Sequence, residues 1–575
     1  MIEGLPATLA TLASYAEIRG EAALALACRR ASRDLEALDP RARGAAVRGA
    51  DASAIPPEAA PVVRRVLDEG PDAVIEAEAG RIPRDLQRLL GLPGVSLADV
   101  LDVHRRFGAV TAGDLAAVAA LAGHEATDRE ALALHHRLRD MLPALREGHP
   151  RIPLGRAVAI AEEATALLRL ALPLEPPPTP LGSVRRFEPT VGDVELLLES
   201  ETPDTTLSTA VDALSPADVL HRGRGIATLR LADEQLTLRA VRPGEAAFAR
   251  LHYTGSAGHV RALQQRAADR GWRLTAAGLV STTSQLEVPC RDEDEIYAHL
   301  GLAPIPPELR HGDDEIALAA GGARPELVRL EHVRGDLHTH TLWSDARDTV
   351  DTMVLTARTL GYEYVAITDH SPSTAASRVL TLDRLERQRD DIERVRRKVP
   401  GISVLHGVEV EILPDGSLDF PDRVLASLDV VVASLHDAAG QQPDRLLARY
   451  VAAMRHPHVH VITHPANRLV GRHEGYPLDY DALFAAAVET GTVVEVDGAP
   501  AHLDLDGHLA RRAVAAGATL AIDSDCHNAA RLGRQMRLGV GTARRGGVEA
   551  RHVLNARPLA DVLAFFAAKR ERLGG

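Results

Sequence analysis

From Arg334 to the C-terminus, apolar runs of strand length alternate with helical segments. Few folds accept that rhythm, which belongs to an α/β barrel or a doubly wound sheet. The alternation opens on Gly335-Asp336-Leu337-His338-Thr339-His340-Thr341-Leu342-Trp343-Ser344-Asp345. If Val333 to Thr339 ends a strand, the two-residue period sets His338 and His340 on one face. Two imidazoles at a strand end, with a carboxylate five residues further on, suit a divalent metal. A lone His-x-His is more often a pair of surface histidines, so its weight depends on what the other strand ends offer.

They offer a good deal. Tyr364 to Thr368 runs into Asp369-His370, and Leu405-His406-Gly407-Val408-Glu409-Val410-Glu411 ends in carboxylates. Leu428 to Ser434 leads to His436, Val459-His460-Val461-Ile462-Thr463 to His464, and Ile522-Asp523-Ser524 to Asp525-Cys526-His527. Thr492 to Val496 is the one run without such an ending. Strand ends of an α/β barrel gather on its C-terminal rim. Glu411 and Asp523 share strand faces with Glu409 and Asp525, so alternation does not choose between them. His406, His456, His458, His460 and His473 read as non-ligands, with phosphate contact or support of a ligand as the alternative. Arg468, after His464-Pro465, and Arg544-Arg545 are candidates to clamp a phosphate, surface ion pairing being the alternative.

The chain has 575 residues, too many for one core, and three or more domains are expected. Ala7 to Leu38 and Glu58 to Glu69 read as helices, with Pro56-Pro57 and Gly70-Pro71 as punctuation. A second helical block covers 81–150. Within it, Leu90 to Val95 resembles the hairpin of a helix-hairpin-helix, which offers backbone N–H groups to a DNA phosphate. An ordinary turn is the alternative, because the second hairpin glycine is missing. After a helix over Leu154 to Leu170, the proline-rich Pro173 to Pro180 reads as a stiff connector. Val191 to Leu198 alternates as a strand with Asp193 and Glu195 on one face, a way to hold Mg²⁺ ions for nucleotidyl transfer. Ile226 to Arg230 and Leu236 to Val241 are strand-like, and Tyr253-Thr254-Gly255-Ser256 leads into a helix through Arg270. Asp292 to Ala320 is polar and reads as the end of a module.

Composition narrows the partners. Aromatic residues are only 3% and the net charge is -14, which excludes widespread base stacking and a nucleic-acid-coating polycation but allows a local basic groove. The three cysteines are far apart and imply neither a disulfide framework nor a thiolate zinc site. Neither a signal pattern nor a membrane-length apolar run is present, so the cytoplasm is the expected compartment and no membrane partner is expected.

On these motifs the chain resembles, along essentially its whole length, the bacterial X-family DNA polymerases that carry a C-terminal polymerase-and-histidinol-phosphatase (PHP) domain. The resemblance implies a multidomain α+β and α/β protein. A helical N-terminal domain (1–80) and a helix-hairpin-helix or fingers domain (81–150) come first. A nucleotidyltransferase-like palm (151–250), a thumb (251–320), a linker (321–332) and a distorted (β/α)7 PHP barrel (333–575) follow. It implies nine metal ligands: His338, His340, Asp345, His370, Glu409, His436, His464, Asp525 and His527. His338, His340, Glu409 and Asp525 would take one ion, Asp345, His370 and His527 a second, and Glu409, His436 and His464 a third. The ions would be Mn²⁺ or Zn²⁺, between which the sequence does not choose. The implied activity is metal-dependent phosphoester hydrolysis: 3′–5′ exonuclease action and processing of abasic sites or blocked 3′ ends. The implied partner is gapped, nicked or 3′-ended DNA, and the implied state a monomer. Ala346, Asn467 and Cys526 depart from the family's usual residues.

The polymerase signature is kept only in part. Gly182-Ser183 and Arg185-Arg186, which in the family hold the incoming triphosphate, are present, with Gly182, Ser183 and Arg186 as the binding residues. Asp193 is the first catalytic carboxylate, while Glu195 is one methylene longer than the usual aspartate. Thr237 stands where the third carboxylate belongs, and a hydroxyl does not replace it. Val260 stands where the family has asparagine. A poorly held Mg²⁺, weak or absent nucleotide binding and lost or very weak synthesis are expected, with this half serving to bind DNA. The only lysines are Lys398 and Lys569, so Schiff-base lyase chemistry is not expected from the N-terminal domain. The competing readings are an active gap-filling polymerase with PHP proofreading, a histidinol-phosphatase-like enzyme and a non-catalytic scaffold for DNA ends.

Overall fold

The computed structural model describes residues 2–48, 54–92, 95–111, 114–115, 151–215, 217–322, 324–438 and 440–574. Pro93 and Gly94 of the hairpin, and 116–150 of the second helical block, lie outside the described residues.

The N-terminal region is helical. The stretch read as Ala7 to Leu38 forms two helices, Leu5–Ile18 and Ala22–Glu36, which break at Gly20 in the left-handed region. Their apolar faces share a core with Val63, Val66, Leu86 and Val100.

Five strands follow: β1 (Thr179–Pro180), β2 (Val194–Glu199), β3 (Asp218–Gly223), β4 (Ile226–Leu231) and β5 (Glu234–Val241). They pair in the order β1-β2-β5-β4-β3. The stretch read as a stiff connector therefore ends in an edge strand. β2 and β5 run parallel, with Glu195 opposite Thr237.

A small antiparallel sheet of β6 (Trp272–Leu274), β7 (Leu279–Ser281) and β8 (Glu287–Val288) comes next. The polar stretch Asp292 to Ala320 is more than a module end. Its Ile296, Tyr297, Leu300 and Ile305 join Phe248 and Leu263 in a core. Its buried Glu293 binds Arg310 (2.8 Å) and Arg185 (2.6 Å). Polar residues enter a core when they are paired, which polarity alone does not signal.

The C-terminal half is a seven-stranded parallel sheet, β9 (Gly335–Asp336), β10 (Tyr364–Ile367), β11 (Ser403–Glu411), β12 (Val430–Ser434), β13 (Val461–Ile462), β14 (Val493–Asp497) and β15 (Leu520–Asp523), paired in chain order. Runs such as Val430-Val431-Val432-Ala433 are buried on both faces, as in parallel sheets covered by helices. A bridge between Thr339 and Cys526 nearly closes the barrel. Several crossover helices begin at side-chain caps: Thr349, Thr381, Asp479 and Asp506 each accept a backbone N–H of the following turn. The first strand is shorter than the expected Val333 to Thr339, because the N–H groups of Leu337, His338 and Thr339 donate to side chains. The Thr339 N–H donates to Thr368 Oγ1 at 3.1 Å.

The two halves share a core. Val470, Leu503 and Leu538 of the barrel pack with Leu154, Val191 and Leu196. A Cβ on Gly541 would lie 2.0 Å from the Phe187 ring, so glycine is what admits that ring.

Candidate metal centre

Six imidazoles and three carboxylates converge at the C-terminal ends of the barrel strands. Glu409, on β11, is fully buried. Its Oε2 lies 2.8 Å from His370 Nδ1, 3.3 Å from His338 Nε2 and 3.4 Å from His340 Nε2. Its Oε1 lies 3.2 Å from His464 Nε2 and 3.4 Å from His436 Nε2. Asp525 Oδ1 sits 3.0 Å from His340 Nε2 and 3.6 Å from His338 Nε2. Asp345 Oδ1 sits 3.3 Å from His527 Nε2 and 3.6 Å from His370 Nε2.

All nine expected ligands are therefore brought together. Glu409 Oε2 stands within 3.4 Å of both His338 and His340 Nε2, the residues expected to share an ion with it. Mutually close donor atoms come from His338, His340 and Asp525, from His340, Asp345, His370 and His527, and from His370, Glu409 and His436. His340 and His370 thus stand between groups. Asp345, His436 and His527 keep 27%, 28% and 35% of their side-chain surface exposed, whereas His338, His340 and Glu409 are buried. The centre opens to solvent on the side of the first three.

Charge and hydrogen bonding test whether a cation fits. Glu409 Oε2 and Asp345 Oδ1 are buried without a hydrogen-bond donor, a costly state that a cation relieves. Burial works against ionisation of Glu409, yet His370, His338 and His436 hold its carboxyl well below the usual range. Burial likewise opposes a charged His527, but Asp525 and Asp345 push it up to about 9. His340, crowded by burial and by His527 and His370, is pushed down to about 3. Mixed imidazole and carboxylate donors suit Mn²⁺ or Zn²⁺, so the residues present fit divalent ions.

The neighbours sort themselves by contact. Glu411, open to either role from strand alternation, accepts from His436 Nδ1 at 2.7 Å and from the His436 N–H at 3.0 Å. It stands behind His436. Asp523 accepts from the Leu337 N–H (2.8 Å) and Asn555 Nδ2 (3.2 Å), inside the wall. Asp369 holds the loop to Asp345 through Thr341 and Ser344, and is itself held by Gln388 of the helix that follows. His460 stacks on Phe566 and accepts from Val431, and His406 bonds Gln388, which makes both structural. Arg468 donates to His502 O (2.8 Å) and lies 3.4 Å from Asp506, leaving Nη2 without a partner. Arg544 pairs with Glu308 (2.7 Å) and Arg545 with Glu188 (2.9 Å). These last two tie the barrel to the preceding half. The reading of the sequence did not single out Glu495, which accepts from His338 Nδ1 at 2.8 Å. A charged residue inside an apolar strand was the available signal.

The carboxylates of the palm-like sheet are arranged differently. Glu195 receives Arg239 through two bonds of 3.0 and 3.5 Å, and Arg239 also reaches Asp114 at 3.0 Å. The guanidinium lies over the Tyr253 ring, 3.9 Å from its centroid. Thr237 is buried opposite Glu195 and contacts Thr228. Asp193 is raised by burial and then by Glu195 and Asp85. Among the described residues, Asp193 and Glu195 belong to no group of three close ligand atoms. Arg185 is engaged by Glu293 and Thr254 Oγ1, and Arg186 donates to Thr254 O. Gly182 adopts a positive φ at the start of the four-residue helix Gly182–Arg185, which includes Ser183.

The chain matches the family profile of the DNA polymerase beta thumb at residues 249–311 and that of the PHP domain at residues 336–488. It is 32% identical over 577 aligned residues to the DNA polymerase/3′–5′ exonuclease PolX of Bacillus subtilis, covering 97% of this chain and 98% of that protein. A protein of Thermoanaerobacter described as a probable phosphatase is 28% identical over 251 residues, 42% of this chain and 97% of its own. Leishmania infantum polymerase beta, in its ternary P/T complex, aligns with 40% of this chain and 98% of its own, at 18% identity and a TM-score of 0.27. Among the described residues no helix is long and apolar enough to cross a membrane.

Proposed function

The chain belongs to the PolX family, with a PHP-domain hydrolase in its C-terminal half, and we propose that it trims DNA from 3′ ends with that half while its polymerase half binds DNA and synthesises little or none. The observation that carries the reading is Glu409: a buried carboxylate, one oxygen without a donor, ringed by five imidazoles at 2.8–3.4 Å.

In this reading His338, His340 and Asp525 hold one ion, Asp345, His370 and His527 a second, and His436 and His464 a third with Glu409 between. Bound ions of this kind supply an acidified water and a clamp on phosphate oxygens. The chain's own residues supply the rest. Glu411 fixes which nitrogen of His436 faces inward, and Asp369 holds the loop that carries Asp345. The buried walls keep bulk water from the inner donors, while the open side at Asp345, His436 and His527 admits the phosphodiester. Arg468, with an unpartnered Nη2, is the proposed phosphate contact. Domain boundaries near 80, 150, 250, 320 and 332 are part of the proposal.

Weak synthesis is inferred from Arg239, which occupies the place of a cation beside Glu195, and from Thr237, which contributes no charge. Likeness to phosphatases over the barrel alone favours a second reading, hydrolysis of a small phosphomonoester. Purified protein with Mn²⁺ should shorten 3′-ended DNA and leave histidinol phosphate nearly untouched. His338→Ala should lower that hydrolysis by about 10²-fold or more, the scale expected when stabilisation of developing charge is lost, and leave DNA binding unchanged. Wild-type cutting by His338→Ala would refute the site, and preference for histidinol phosphate would favour the second reading.

A further inference from the structure

Glu495 lies mid-strand in β14 and is fully buried. Its Oε1 accepts from His338 Nδ1 at 2.8 Å, and its Oε2 accepts from the His464 N–H at 2.9 Å and from the Thr463 hydroxyl. A carboxylate survives inside a barrel only when donors replace its water. All of these donors come from ligands or from the residue beside one.

We propose that Glu495 is the positioning residue of the metal centre, setting two ligands at once, the His338 ring through its Nδ1 edge and the His464 ring through its backbone. The inference rests on the reading that the rim residues hold metal. The Glu495 carboxylate takes the Nδ1 edge of the His338 ring, which leaves Nε2 facing inward. That nitrogen lies 3.0 Å from His340 Nε2, so the two rings converge at the rim. His464 has φ +27°, a conformation that ordinary residues rarely adopt. The bond from its N–H to Glu495 secures that turn, which brings His464 Nε2 to 3.2 Å from Glu409. Glu411 serves one ligand in the same manner; Glu495 serves two, and in the proposed grouping they belong to different ions.

The test uses the full chain as wild type, Glu495→Gln, Glu495→Asp and His338→Ala. Each is loaded with Mn²⁺ and dialysed. Bound metal is counted by mass spectrometry, and the Mn²⁺ concentration giving half-maximal hydrolysis is measured. An amide cannot accept from all three donors, so Glu495→Gln should lose bound metal and require about 10–100-fold more Mn²⁺. Excess Mn²⁺ should restore most of its turnover. Glu495→Asp keeps a carboxylate and should fall between Gln and wild type. A purely architectural role would lower the folded fraction and leave the Mn²⁺ requirement of the folded enzyme unchanged. Wild-type metal content and Mn²⁺ requirement in Glu495→Gln, with His338→Ala depleted, would overturn the positioning role and leave the centre standing. Full metal content in His338→Ala would overturn the centre, and this inference with it. Should Glu495→Gln fail to fold, an unchanged Mn²⁺ requirement in Glu495→Asp would overturn the role.

Discussion

Two buried glutamates, Glu409 and Glu195, separate the two halves of this chain. Each sits at a strand where a metal is expected, and each is surrounded by charge. Glu409 faces imidazoles and keeps an oxygen without a donor, whereas Glu195 is taken up by Arg239. That His338, His340 and Asp525 meet at the barrel rim was legible in the sequence, because each follows an apolar run of strand length. Glu495 and the Arg239–Asp114 contact were not legible, since both depend on which residues the fold sets opposite each other. A third buried charge gives a separate prediction. Lys569 donates to Met454 O (2.9 Å) and Thr492 Oγ1 (2.5 Å), and burial, then Arg572, pushes its amine down from 10.5 to about 7. The unfolded chain therefore binds one more proton between about pH 7 and 10.5, so this residue makes stability rise with pH across that window. Below pH 7 its full cost remains. Lys569→Met should raise stability at pH 7, on the order of a few kcal/mol before the loss of two hydrogen bonds, and flatten the pH dependence. Denaturant midpoints at pH 7 and 10 measure this, and an unchanged slope with pH would contradict it.

Among elements, the long parallel strands were the most legible. Runs such as Tyr364 to Ile367 and Val430 to Ser434 are apolar on both faces and begin and end near where the sequence places them. The rim was less so. β9 and β13 have two residues each, because beyond them the backbone turns aside to aim His338, His340 and His464 at the rim cluster. His464 and Asp525 both have positive φ, which no periodicity argument anticipates. The palm-like sheet offers a sharper test, since its register puts Thr237 beside Glu195. If lost carboxylates limit synthesis, Glu195→Asp with Thr237→Asp should raise Mg²⁺-dependent primer extension by about tenfold or more, the equivalent of 1.4 kcal/mol in the barrier. Extension no better than wild type would show that the Arg239 ion pair, or another obstacle, dominates.

At the scale of the molecule, the halves are joined by more than a linker. Val470, Leu503 and Leu538 lie in a core built mainly from the preceding half, and Arg544 and Arg545 cross to Glu308 and Glu188. That sharing was invisible in a sequence that reads as modules in series. A barrel fragment spanning 333–575 would uncover those three side chains, each worth about 1.5–3 kcal/mol when buried. It should unfold at a lower temperature than the barrel of the full chain, and equal midpoints would mean that the shared core adds nothing. The shared core holds two carboxylate clusters in one packed molecule, Glu409 ringed by imidazoles and Glu195 engaged by Arg239. One measurement addresses that contrast directly: a 5′-labelled primer on gapped DNA, given the full chain, all four deoxynucleotides, Mg²⁺ and Mn²⁺. The expected products are shorter than the primer with at most a trace longer, and in His338→Ala the short products are gone with no abundant extension in their place. Abundant products longer than the primer that vanish in Asp193→Ala would contradict the account.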